Sequence, residues 1–189
     1  EGMITAAEGG LVALVAPTVR NDGLIAARLG KVILAAGGGV TIDLYGDDLI
    51  VFEADDAAAR QLTDVTGRPL SAVLEMGGEI EAGTVVLCAR TARGVVDNAI
   101  SLDGIVQARS VREEGGRIIL DAGSGRVELA GTLDADGEAA GGHVTVAAGE
   151  LLAKGDVLAS GDRGGHIEVR AQSAVLDEAE VRADGRSAS

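Results

Sequence analysis

The sequence predicts an all-β fold, a right-handed parallel β-helix (β-solenoid) that carries a hairpin and short-helix insertion. Three observations predict it. A glycine-led line returns along the chain, the apolar period inside that line is two, and aromatic residues make up only 1% of 189 residues. Ordinary globular cores fill the gaps between layers with aromatic bulk. A core of Val, Ile, Leu and Ala suits a narrow, regular interior.

The line is Gly-x-apolar-x-Ala. It reads GMITA at Gly2, GLIAA at Gly23, GEIEA at Gly78, GIVQA at Gly104, GTLDA at Gly131 and GDVLA at Gly155, then AEVRA at Ala179 in degenerate form. The first five steps are 21, 55, 26, 27 and 24 residues, and the step of 55 holds an extra segment. A second line follows each copy: GLVALVA from Gly10, GKVILAA from Gly30, GTVVLCA from Gly83, GRIILDA from Gly116, GHVTVAA from Gly142 and GHIEVRA from Gly165.

Read as strands, the second lines superpose with alternating faces. Val12, Val32, Val85, Ile118, Val144 and Ile167 form one inward column; Leu14, Leu34, Leu87, Leu120, Val146 and Val169 form the next. The position between them runs Ala13, Ile33, Val86, Ile119, Thr145, Glu168 and turns polar only toward the C-terminus. The position after the glycine runs Leu11, Lys31, Thr84, Arg117, His143, His166, as an outward face would. A third strand is expected at GVTIDL, GRVELAG and GELLAKG. Three short strands per ~25 residues suit a solenoid whose coils pair in parallel, each rising by one strand spacing of ~4.8 Å. Glycine is expected to supply positive-φ corners, and alanine to fit where corners crowd the interior. A helical reading fails, because glycine recurs every few residues at ~1 kcal/mol each in a helix interior.

The chain reads as one domain, 1–189, with an insertion at 45–76. DLYGDDLIVFEAD predicts a hairpin turning near Gly46 and Asp47, and it carries both aromatics, Tyr45 and Phe52. An Asx cap followed by helix formers in DDAAARQL predicts a short helix from Asp56 to Leu62. Insertions leave a solenoid on one side without disturbing the stack and often carry recognition. Tyr45, Asp47, Asp48 and Phe52 are therefore the expected partner-binding residues, the competing role being to cover an open face with Phe52 as anchor.

Thirty acids against sixteen bases give a net charge of −14. Such a surface repels phosphate backbones, so no nucleic-acid partner is expected. The single cysteine, Cys88, lies in the apolar run TVVLCA and is expected to be a small buried hydrophobe, which excludes an intrachain disulfide and a site of paired thiolates. No apolar run reaches the ~20 residues of a membrane span. No cofactor and no metal are expected.

The succession GLIAARLGKVILAAGGGVTIDLYGDDLI, GRIILDAG and GTLDADGEAAGGHVTV resembles the filamentous haemagglutinin family, the two-partner secretion exoproteins of Gram-negative bacteria. The resemblance covers essentially the whole chain. It implies a secreted or cell-surface β-helix, exported through an outer-membrane partner, that mediates adhesion to host or neighbouring cells. The family's Asn-Pro-Asn-Gly secretion signature is missing, since Asn21 and Asn98 are the only asparagines. The chain therefore reads as a segment downstream of the secretion domain.

Two other chemistries compete with this reading. Polysaccharide lyases and hydrolases also use parallel β-helices, and Asp134 with Asp136 in DADG, with Asp162 and Arg163 in the turn one coil on, are the candidate acids and base. Tight turns favour Asp and Gly there in any case, and no aromatic is present to stack on a sugar. His143 and His166 fall in one column, where Glu168 and Asp162 could add oxygens for a metal ion; a solvated outward column explains them equally. The acidic turns lack the nonapeptide spacing of calcium β-rolls. The chain opens on one coil and stops just after another, and neither end shows a polar cap. Head-to-tail stacking on another copy, or on flanking coils of a longer chain, is the expected consequence, with filaments as the open-ended product.

Overall fold

The computed structural model describes residues 2–37, 39–42, 50–53, 63, 67, 71–89, 97–110 and 115–185. All regular structure among them is strand. The first coil contains β1 (Met3–Thr5), β2 (Leu11–Ala16) and β3 (Val19–Asn21); the second opens with β4 (Leu24–Ala36). There follow β5 (Gly39–Ile42) and β6 (Ile50–Glu53), and then β7 (Ala72–Met76), which closes the coil. The third coil is β8 (Glu79–Ala89) and β9 (Asn98–Leu102); the fourth is β10 (Ile105–Ala108), β11 (Arg117–Asp121) and β12 (Arg126–Leu129). The last rows are β13 (Thr132–Asp134), β14 (His143–Ala153), β15 (Asp156–Leu158), β16 (His166–Leu176) and β17 (Val181–Arg182).

Fifteen strands join in one sheet whose every ladder is parallel, each strand pairing with its counterpart one coil away. The arrangement is solenoid-like, with three faces per coil. On face A the register runs Ile4, Ile25, Ile80, Val106, Leu133, Val157, Val181. On face B it runs Leu14, Leu34, Leu87, Leu120, Val146, Val169. On face C it runs Val19, Leu74, Ile100, Val127, Leu151, Ala174. These columns converge on one core, in which Ile25, Leu34, Ile80, Leu87, Ile100, Leu120 and Leu133 have no exposed surface. Stacking like on like removes each apolar side chain from water against its own counterpart, at ~25 cal/mol per Å² of apolar area.

The leading glycines have a different physical cause from the expected corner geometry. Among the described glycines only Gly9, Gly37, Gly67 and Gly123 take positive φ, and none of them leads a coil. A β-carbon on Gly104 would instead collide with the carbonyl oxygen of Gly78, and one on Gly131 with that of Gly104. Each such oxygen accepts the hydrogen bond that starts the next row, from Ile105 N at 3.0 Å and Thr132 N at 2.9 Å. Gly23, Gly78, Gly104, Gly131 and Gly155 lead their coils because successive coils touch backbone to backbone there.

The third place in the second coil is not filled by GVTIDL, as expected, but by β7, which pairs with β3 and β9. Ala72–Met76, inside the expected 45–76 insertion, thus belongs to the coil. GVTIDL contributes β5, which pairs antiparallel with β6 from Gly39–Glu53 to Ile42–Ile50. Tyr45, Asp47, Asp48 and the expected helix at Asp56–Leu62 lie outside the described residues, as does the side chain of Phe52.

Candidate functional site

Where face A turns into face B in the later coils, four residues fall into one column. The register Gln107–Asp134–Leu158–Arg182 fixes the strands. Two residues beyond each lie Arg109, Asp136, Ser160 and Asp184. Ladder bonds continue through this corner: Gly137 N donates to Ser160 O at 2.9 Å and Gly161 N to Asp184 O at 3.0 Å. A cleft of about 580 Å³ lies at this corner, lined by Arg109, Asp136, Glu138, Ser160, Arg182 and Asp184 among others.

Each wall is held by an arginine. Arg109 donates to both carboxylate oxygens of Asp134, Nη1 to Oδ1 at 2.9 Å and Nη2 to Oδ2 at 2.7 Å. The Asp134 side chain is only 14% exposed, so this fork-to-fork pair is partly withdrawn from water. The bond to Asp134 raises the Arg109 pKa above its ordinary value; partial burial opposes it, and the fields of Asp134 and Asp136 add to it. Arg182 is raised likewise by bonds to Glu180, at 3.0 Å, and Asp184, at 3.4 Å.

The floor is polar and pre-formed. Asp136 N donates to Asp134 Oδ1 at 2.9 Å, the local turn that Asp in DADG favours. Asp136 Oδ1 accepts from Ser160 N one coil on, and Ser160 Oγ accepts from Asp184 N at 3.2 Å. Carboxylates, hydroxyls and guanidinium groups thus face one space from successive coils. Such a mixture can hydrogen-bond a hydroxyl-rich or zwitterionic ligand.

The sequence singled out Asp134 and Asp136, and the structure brings them together. It missed Arg109, whose signal was its place two residues after Gln107, in register with Asp136. Asp162 and Arg163 do lie one coil on, but shifted two residues: Asp162 N donates to Glu138 O at 2.9 Å, and Arg163 bridges Ala140.

His143 and His166 are paired in register, with ring centroids 5.9 Å apart. Glu168 is engaged with Arg170 at 2.7 Å. No group of three or more His, Cys, Asp or Glu placed to hold a metal ion occurs among the described residues. Cys88 is buried.

Comparison with protein-family models, with curated proteins and with solved structures finds no match to this chain. Its fold and cleft define the class to which it can be assigned on structural grounds: all-β, parallel and solenoid-like, with a polar cleft on one edge.

Proposed function

We propose that this chain is a non-catalytic, stiff segment of a secreted or cell-surface exoprotein, a right-handed parallel β-helix that works by adhesion and by stacking on further coils. The observation that carries this reading is the unbroken ladder with open apolar rows at both extremes. Met3 is 71% exposed at one and Leu176 60% exposed at the other, while the columns between are sealed. An unpaired strand row templates another, whether from the same chain or from a second copy. Right-handedness follows from the strong preference of parallel crossovers. The resemblance of the repeats to filamentous haemagglutinins supports export through an outer-membrane partner and contact with host or neighbouring cells. Recognition in this reading belongs to the insertion, including Tyr45, Asp47 and Asp48.

Negative-stain microscopy over a concentration series tests the stacking. Filaments a few nanometres wide at high concentration are expected of a second copy adding head to tail. Discrete particles at every concentration would restrict stacking to coils of one chain.

A second reading, a carbohydrate-active β-helix enzyme, is favoured by one observation: the cleft is lined by Asp136 and by Arg109, which Asp134 holds in an ion pair. A screen against acidic and neutral polysaccharides separates the two. Turnover that is lost in Asp134→Asn or Asp136→Asn would replace the rod with a lyase or hydrolase; the rod predicts none.

A further inference from the structure

The outer surface of face B carries a second apolar cluster, separate from the core: Ile33, Ala35, Val86 and Cys88, with Ile119 packed beside it. Strand alternation puts these residues on the side away from the core, since Val32, Leu34, Val85 and Leu87 fill the inside. Outward residues of a single solenoid wall ought to be wet. Yet Ile33 is 3%, Ala35 0%, Val86 5% and Cys88 3% exposed. Their counterpart one coil earlier, Val15, is 47% exposed, and in the last coil Arg170 in the same column is exposed. Something therefore covers two coils and stops. The burial is that of the single chain, so the chain itself supplies the cover.

We infer that the β5–β6 ribbon lies over this patch as a docked cover and seals Cys88 beneath it. Three features of the ribbon fit. It leaves the coil just after Ala36, at the end of the very strand that carries Ile33 and Ala35. Its register pairs Val40 with Phe52 and Ile42 with Ile50, which places four apolar residues on one face and Gly39, Thr41, Val51 and Glu53 on the other. Two strands at ~4.8 Å span the width of two coils, which is the extent of the dry patch. A two-stranded ribbon alone is marginal in water; lying on an apolar wall gives both surfaces a partner. Phe52 then serves the cover, which removes it from the residues available to an external partner.

Cys88 is the only thiol in the chain, so its reaction rate with a maleimide reads the cover directly. In the native protein the thiol is expected to label slowly. Phe52→Asp and Ile42→Asp are expected to speed labelling by roughly ten- to hundredfold, the factor corresponding to one large apolar side chain's burial. Thr41→Asp, on the opposite face, leaves the rate unchanged. Far-UV circular dichroism confirms in each case that the coils remain folded. Equal rates for Phe52→Asp and Thr41→Asp would overturn the inference and pass the cover to another segment, such as 90–97. Should the aspartates unfold the coils, Phe52→Ala against Thr41→Ala reads the same contrast. The outcome is independent of filament formation and of any ligand.

Discussion

The third coil and the sixth are built from nearly the same line, GTVVLCA and GHIEVRA, yet they live in different environments. Leu87 has no exposed surface, whereas Val169, two ladder rows from Leu120 in the same column, is 45% exposed. Outward, Val86 is 5% exposed and Glu168 holds an ion pair with Arg170. The difference is one of neighbours. Leu87 has a coil above and a coil below, together with a cover outside; Val169 has a coil on one side only. In a solenoid, stability is a sum of coil terms and nearest-neighbour interfaces. Position in the stack decides what a side chain contributes as much as its identity does.

The sharpest way to test that comparison is to empty a site in the middle. Leu87→Ala deletes a side chain held between Leu34 and Leu120 in a core that has no aromatic among its described residues. A loss of about 4 kcal/mol is expected, near the upper part of the large-to-small range. Urea unfolding followed by circular dichroism measures it. A loss under about 1 kcal/mol would mean that adjacent coils close the cavity, and that the stack is softer than its ladder implies.

Overfilling comes next. Gly131→Ala sets a methyl group against the carbonyl of Gly104, and backbone cannot step aside as a flexible side chain could. The coils must separate locally, at about 3 kcal/mol. Gly9→Ala is the useful companion, because a β-carbon there meets nothing within 4 Å but φ is +72°. The left-handed backbone costs it about 1 kcal/mol. If the two variants lose the same amount, close approach is not what makes the leading glycines necessary.

The part of this architecture that was legible in the sequence is the part with constant spacing. The face B columns, from Val12 to Ile167 and from Leu14 to Val169, could be written from the glycine-led lines because no insertion falls inside them. Face C was read at β12 and β14 but missed at β7 and β9. There the connections that precede the strands, 37–71 and 90–97, differ in length, and AVLEM and NAISL have no leading glycine to mark them. The cover left one readable trace: Ile33, Val86 and Ile119 are apolar at an outward position that later holds Thr145 and Glu168. The cleft was half legible. Asp134 and Asp136 stand out as turn acids, while Arg109 becomes their partner only once the register of β10 on β13 is known.

The smallest expected effect is the most informative about assembly. Val169→Ala removes two methyl groups from a side chain that is already 45% exposed, so in the isolated chain it costs less than about 0.5 kcal/mol. Were another coil to sit on this row, the same valine would be covered as Val146, at 1%, is now. The cost would then rise to about 1.5 kcal/mol, the loss of two buried methyl groups. The comparison between the coils thus has its own concentration dependence. Urea midpoints for wild type and Val169→Ala at low and high protein concentration should diverge as stacking sets in, while the deficit of Leu87→Ala stays constant. Parallel shifts at all concentrations would show that this edge remains open in solution.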